Sequence, residues 1–265
     1  MASGEHPDIK TVTIRFYAEL NDFLKSACKH KAFELSYKGV VTVREAIESL
    51  GVPHSAVDLV LVNSLPVAFT QRLKEGDYLS VYPVFESFDI STLSTNHKPP
   101  LRSSSFIADV HLGKLTRLLR LLGFDTLYFN HIDDNELIDK ANQTNRIILT
   151  RDHDLLKSRW VTHGYYVRSI NPQEQIKEVV DKFDLYNQFK PFSRCLVCNG
   201  MLEIVPLSAI KDQLNPETAS AFARFFRCPH CHRIYWEGSH YHHMLQTIEK
   251  LRAGKNERRQ NSRLF

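Results

Sequence analysis

The sequence predicts an α/β protein in three parts: a small domain of strands and one helix, a middle domain with a parallel sheet, and a short domain stapled by thiols. Three observations predict it. Between Phe106 and Phe183 short apolar runs alternate with helical stretches, the pattern of right-handed βαβ units. From Thr11 to Ile90 several strand-like runs surround one helical stretch. Further along, Cys195/Cys198 and Cys228/Cys231 form two Cys-x-x-Cys pairs.

A length of 265 residues suits two or three small domains better than one. The formal net charge of +4 permits a nucleic-acid partner without requiring one, so clustering of Lys and Arg must carry that case. Four of the five cysteines fall in the two pairs, which favours metal over a disulfide framework, and Cys28 reads as a small apolar side chain. The opening Met1-Ala-Ser-Gly shows neither a basic n-region nor an apolar h-region, and no run approaches the roughly 18 apolar residues of a membrane helix. The expectation is a cytoplasmic or nuclear protein, cytoplasmic by default, with no membrane partner. The glycosylation match at Asn142-Gln-Thr is then accidental.

In the first part, Thr11-Val-Thr-Ile-Arg-Phe-Tyr alternates as a strand does. Val43-Arg-Glu-Ala-Ile-Glu-Ser-Leu has helical spacing, with Thr42 as N-cap and Gly51 and Pro53 as stops. Leu59-Val-Leu-Val-Asn, a turn, Pro66-Val-Ala-Phe and Gly76-Asp-Tyr-Leu-Ser-Val-Tyr-Pro-Val follow. This order, with Leu73-Lys-Glu-Gly-Asp-Tyr-Leu-Ser-Val-Tyr-Pro as its chief motif, resembles the ubiquitin-like β-grasp, particularly the small sulfur carriers. Sulfur carriers activate a free Gly-Gly end, whereas here the last strand runs into Glu86-Ser-Phe-Asp. The resemblance therefore implies a packing or interaction module over 1–90, open to a protein partner. The Ser-, Pro- and Thr-rich stretch over 91–104 reads as a linker.

In the middle part, Phe106-Ile-Ala-Asp-Val reads as a buried strand. Leu112, Leu115, Leu118, Leu119 and Leu122 line one face of a helix that Gly123 ends. Thr126-Leu-Tyr-Phe is a second strand and Asn135 to Asn142 a second helix. Arg146-Ile-Ile-Leu-Thr is a third strand, followed by a short helix from His153 to Trp160. Tyr165-Tyr-Val-Arg-Ser-Ile and a helix from Pro172 to Phe183 complete the alternation.

Open parallel sheets collect ligands outside the carboxyl ends of their strands. Asp109 ends the first strand, Asp133 and Asp134 follow the second, with Glu136 one turn into the helix, and Asp152 and Asp154 follow the third. Acids from three loops at one sheet edge repel unless cations sit among them, and oxygen ligands suit Mg²⁺ or Mn²⁺. Each acid alone also fits a capping role, since Asp133 with Glu136 has capping-box spacing and Asp152 precedes a helix. Asp109 interrupts a buried apolar run, where an unpartnered carboxylate costs several kcal/mol.

Two stretches carry a more specific resemblance. Phe106-Ile-Ala-Asp-Val-His-Leu-Gly-Lys-Leu-Thr-Arg-Leu-Leu-Arg-Leu-Leu-Gly-Phe-Asp-Thr, with Arg146-Ile-Ile-Leu-Thr-Arg-Asp, resembles the Mut-seven C-terminal RNase family, within the PIN-like nucleases. That resemblance implies an α/β PIN-like domain over 105–188, divalent-metal ribonuclease activity, and a zinc ribbon over 189–238. A ubiquitin-like domain ahead of the nuclease also occurs in the family. Asp109 matches the first-strand acid and Asp152 the acid after Leu-Thr-Arg. Asp133, Asp134 or Glu136 supplies the acid near the second helix, which of them being left open, and Asp154 takes a supporting role.

Lys114, Arg117 and Arg120 recur every third residue on the helix leaving Asp109 and read as a solvent-facing basic stripe for RNA phosphates. Arg151, just before Asp152, reads as a phosphate or carboxylate partner. Tetrahedral zinc accepts the four thiolates Cys195, Cys198, Cys228 and Cys231, with Gly200 suiting a tight turn and the long stretch between the pairs folding out as an insertion. Phe222, Phe225 and Phe226 read as the core of that small domain. Over 239–265 a helix from His240 to Leu251 leads to a basic end with Lys255, Arg258, Arg259 and Arg263. The leading expectation is a metal-dependent ribonuclease; the alternatives are a non-catalytic RNA-binding or ribosome-associated adaptor, and a protein-interaction module.

Overall fold

The computed structural model describes residues 9–84, 104–238, 241 and 245–253. The expected linker over 91–104 lies outside these but for its last residue, and so do Glu86-Ser-Phe-Asp, His240 and the basic end with Lys255, Arg258, Arg259 and Arg263.

In β1 (Ile9–Phe16), Val12, Ile14 and Phe16 are buried while the residues between them are half-exposed, as expected of a strand covered on one face. β2 (Phe33–Lys38) pairs with it antiparallel. Helix α1 (Val43–Ser49) opens in a capping box: Thr42 Oγ1 accepts the amide of Glu45 at 3.3 Å, and the Glu45 carboxylate accepts the amide of Thr42 at 2.8 Å. These bonds from Thr42 hold the Glu45 carboxyl below the usual glutamate range. β3 (Val57–Val62) and β4 (Leu65–Pro66) are joined by Asn63 and Ser64 at φ 49° and 70°, the two-residue hairpin whose twist matches the strands. β5 (Tyr78–Pro83) runs parallel to β1 and antiparallel to β3. The sheet order β2-β1-β5-β3-β4 is the β-grasp arrangement. Val43, Ala46 and Ile47 of α1 close its core against Ile14, Val60, Leu79 and Val81.

Next come β6 (Phe106–Ala108), α2 (Gly113–Leu121), β7 (Thr126–Tyr128), α3 (Asp134–Gln143), β8 (Ile147–Thr150), α4 (His153–Lys157), β9 (Gly164–Tyr166) and α5 (Pro172–Lys182), in the alternating order read from the sequence. β6 pairs in parallel with β7, and β8 in parallel with β9. Every residue of β6 and β8 is buried, which is why both read as unbroken apolar runs. Leu112, Leu115, Leu119 and Leu122 are fully covered. α2 ends at Gly123, whose φ is 94° and where a Cβ would stand 2.2 Å from the carbonyl oxygen of Lys190. α4 stops at Lys157, short of Trp160, because Ser158 leaves helical geometry at ψ 128°.

β10 (Glu203–Val205), α6 (Pro216–Ala221), β11 (Phe225–Arg227) and β12 (Ile234–Trp236) complete the named elements. The three strands form an antiparallel sheet in the order β10-β11-β12. β10 and α6 lie in the stretch between the thiol pairs, which therefore folds as an insertion. Phe225 and Phe226 are buried and form part of this domain's core. Residues 245–253 are helical.

The described residues fall into two compact units that interleave along the chain, one within Met1–Arg102 and Asp134–Tyr166, the other within Ser103–Asp133 and Val167–Phe265. Among the described residues no helix is long and apolar enough to cross a membrane.

Candidate functional site

The four thiols come together. The Sγ atoms of Cys195, Cys198, Cys228 and Cys231 all lie within 4.8 Å of one another. Two turns of matching form deliver them. In the first, Cys195 N donates to Gly200 O at 2.8 Å and Asn199 N to Cys195 O at 3.0 Å; in the second, Cys228 N donates to Arg233 O and His232 N to Cys228 O, both at 2.9 Å. The residue after the second cysteine of each pair is left-handed, Asn199 at φ 68° and His232 at φ 60°. The tight turn expected of Gly200 thus falls on Asn199, a residue type that tolerates this region. Gly200 serves close approach instead: a Cβ there would stand 2.6 Å from the His230 ring and 3.1 Å from Cys228 Sγ.

Burial pushes the Cys195 thiol up, but hydrogen bonds from the Tyr235 hydroxyl, the amides of Cys198 and Val197, and Cys231 outweigh it and bring it below the usual range. Burial raises Cys198 and Cys231, and sharing protons with neighbouring sulfurs adds to that in both. Metals ligate thiolates, so a cation bound among these sulfurs would displace their protons.

Arg120 corrects the sequence reading. Its expected place was a solvent-facing stripe with Lys114 and Arg117; those two are exposed, but Arg120 is only 4% exposed. Its Nε donates to Thr126 O at 2.9 Å, and its Nη1 to Leu196 O at 3.2 Å and Val197 O at 2.8 Å. The guanidinium thus binds the first thiol turn to α2 and β7, and burial pulls its pKa down without threatening its charge. Asn199 reinforces the join, accepting from Thr126 N at 3.0 Å and donating to Asp125 Oδ1 at 2.7 Å. Arg194 pairs with the other oxygen of Asp125 at 3.1 Å.

The carboxylates are placed one by one. Asp109 follows β6, is 7% exposed, and accepts the amide of Val110 at 2.5 Å as cap of the turn Val110–Leu112. Asp133 is exposed just before α3, and Asp134 opens that helix. Glu136 pairs with Lys140 at 3.2 Å on the same helix. Asp152 follows β8 and caps α4, accepting the amide of Asp154 at 2.7 Å, while its own amide donates to Thr150 Oγ1 at 2.9 Å. Asp154 is solvent-exposed and pairs with Lys157 at 2.7 Å, which lowers its pKa. Asp109 and Asp133 belong to one compact unit; Asp134, Glu136, Asp152 and Asp154 belong to the other.

Sequence comparison then gives the family. The model described as Mut7-C RNAse domain matches residues 104–248, more than half of the chain. The chain belongs to the Mut7-C RNase domain family. A second model, described as Mut7-C ubiquitin, matches residues 9–89. No curated protein matches.

In this Mut7-C chain the ubiquitin-like segment touches the RNase segment directly. Phe23 meets the His153 ring edge-on, with centroids 4.9 Å apart and planes at 90°, and His153 lies against Tyr166 at 3.8 Å. Burial, then the Lys157 charge, depresses the His153 pKa. Ser55 Oγ donates to Leu156 O at 3.2 Å. Sequence reasoning missed Phe23, Ser55, Asp125, Asn199 and Tyr235. Of these only Asn199 carried a local signal, since a residue directly after a Cys-x-x-Cys turn falls where left-handed backbone is needed.

Proposed function

We propose that the protein is a divalent-metal-dependent ribonuclease of the cytoplasm, hydrolysing RNA phosphodiester bonds at a cluster of carboxylates, with zinc as a structural ion in its ribbon. One observation carries the reading: in a chain of an RNase family, each of two buried parallel strands, β6 and β8, is followed by an aspartate, Asp109 and Asp152. Parallel sheets place ligand sites beyond those strand ends. In this reading Asp109 and Asp152 hold Mg²⁺ or Mn²⁺, an acid from Asp133, Asp134 and Glu136 joins them, and Asp154 supports the set. The donors are oxygens alone, which suits hard cations. Such ions, when bound, activate a water and stabilise a leaving oxygen. Lys114 and Arg117 hold RNA phosphates, and Arg151 orients one beside Asp152.

For zinc, a Zn–S distance near 2.3 Å sets tetrahedral sulfurs about 3.8 Å apart. The Cys195–Cys231 and Cys198–Cys228 separations of 3.5 and 3.3 Å, and the limit of 4.8 Å for the set, fit that requirement.

The test is cleavage of an end-labelled RNA with Mg²⁺ or Mn²⁺ by the wild-type chain, Asp109→Asn and Asp152→Asn. Each change lowers the rate by about 100-fold or more while the unfolding midpoint is kept. Cleavage that survives both changes sinks the assignment.

A second reading draws on a specific observation: Asp109 and Asp152 both already cap helical turns, and Asp154 is paired with Lys157. A non-catalytic RNA-binding adaptor would use its acids in this structural way. Salt-sensitive RNA binding without turnover in any divalent metal favours it.

A further inference from the structure

We propose that the ubiquitin-like domain is a built-in positioning part of the nuclease: Phe23 and Ser55 grip helix α4 and so fix the strand end that carries Asp152. The inference rests on the reading of Asp152 as a ligand of the catalytic cation.

α4 has five residues, too few to stand as an isolated helix. Its N-terminal end depends on the Asp152 side chain, which accepts the amide of Asp154. Near the other end, where helix carbonyls lose their internal partners, Leu156 O accepts from Ser55 Oγ, and Ser55 is only 6% exposed. Between these ends the first helical residue, His153, is held by rings. Phe23 presents itself edge-on at 4.9 Å, Tyr166 of the neighbouring strand β9 lies at 3.8 Å, and Phe23 and Tyr166 are themselves 6.0 Å apart. Leu155 and Leu156 are buried at 3% and 1% exposure.

Phe23 and Ser55 come from separate short helical turns of the ubiquitin-like domain, Ala18–Phe23 and His54–Ala56. Phe23 also packs on that domain's own core. One side chain therefore joins the β-grasp interior to the residue next to Asp152. A cation ligand needs its carboxylate held within a few tenths of an ångström, and the groups that support it set affinity. Losing the Phe23 ring or the Ser55 bond frees α4 to shift, and Asp152 with it, although neither residue is a ligand in the proposed site.

The experiment uses the full chain as wild type, Phe23→Ala, Phe23→Tyr, Ser55→Ala and Asp152→Asn. Mn²⁺ binding is measured by calorimetric titration without RNA. RNA cleavage gives the half-saturating Mn²⁺ concentration and the maximal rate, and thermal unfolding is followed beside them. Phe23→Ala raises the Mn²⁺ dissociation constant and the half-saturating concentration about tenfold, with the maximal rate at saturating Mn²⁺ changed less than about threefold. Ser55→Ala, the milder change, moves both constants in the same direction, and Phe23→Tyr restores the wild-type values. The proposal is overturned if Phe23→Ala and Ser55→Ala lower only the unfolding midpoint and leave Mn²⁺ affinity as it was. If Asp152→Asn keeps wild-type Mn²⁺ affinity and cleavage, the catalytic assignment of Asp152 fails first, and the two failures are told apart.

Discussion

Arg120 donates from Nη1 to the carbonyl oxygen of Val197 at 2.8 Å, joining the helix that follows Asp109 to the first thiol turn. The same guanidinium bonds Thr126 O and Leu196 O, so one side chain satisfies three carbonyls. Arg120→Met leaves these buried or half-buried acceptors unpaired and costs about 2–4 kcal/mol in chemical denaturation. Arg120→Lys does not restore the loss, because an ammonium lacks the planar fork. A cost below about 0.5 kcal/mol for Arg120→Met would show that the join is incidental.

With zinc held by the four thiols, as proposed, its removal would loosen more than the thiol turns themselves. Chelation, or Cys228→Ala, lowers the unfolding midpoint and raises amide exchange at Thr126, whose N–H is held by Asn199. The sign with pH follows from the thiols. Metal binds thiolate and releases protons, and burial holds Cys198 and Cys231 above the usual range. Affinity therefore rises with pH and falls as the solution is acidified. Zinc release monitored by a colorimetric chelator, if independent of pH between about 5 and 8, removes the thiolate account.

Gly123→Ala puts a Cβ 2.2 Å from Lys190 O at a backbone φ of 94°. Both effects act in the same direction, so the variant loses about 2–4 kcal/mol. Gly123→Asn, which suits left-handed backbone, fares no better because its Cβ meets the same oxygen. A stable Gly123→Asn would refute the contact.

Thr42→Ala removes the capping box of α1 and costs about 1 kcal/mol. Glu45 has its carboxyl lowered by the bonds from Thr42. Its contribution is thus present above the ordinary glutamate pKa and disappears as pH falls through the depressed value. Stability of Glu45→Gln, which keeps an acceptor oxygen but cannot titrate, is flatter against pH than wild type in that acid window; identical slopes count against the box.

Lys114→Glu and Arg117→Glu each weaken RNA binding and lower the slope of log affinity against log salt by about 1. Arg120 is spent inside the fold, so Arg120→Met leaves that slope unchanged in the folded fraction. Equal slopes for all three variants would mean that this helix does not meet RNA.

α2 shows where sequence reasoning stopped. At 100° per residue, Arg117 stands opposite the leucine face, while Lys114 and Arg120 stand on its two flanks, about 120° from each other. The period names the flanks but cannot say which one another part of the chain will cover. The thiol turn covers the Arg120 side. The acids at strand ends were legible because burial on both faces makes β6 and β8 continuous apolar runs that a carboxylate visibly closes.

Local physics settled what the sequence could determine alone. Side-chain period gave α1 and the strands and helices between Phe106 and Phe183, cap chemistry gave Thr42, and thiol spacing gave the cluster of four, because each depends on residues a few positions apart. Only the tertiary structure decided that Arg120 is buried and that Phe23 reaches His153. Those contacts join residues far apart in the chain, and their energy is realised only once the intervening segments have packed and excluded water.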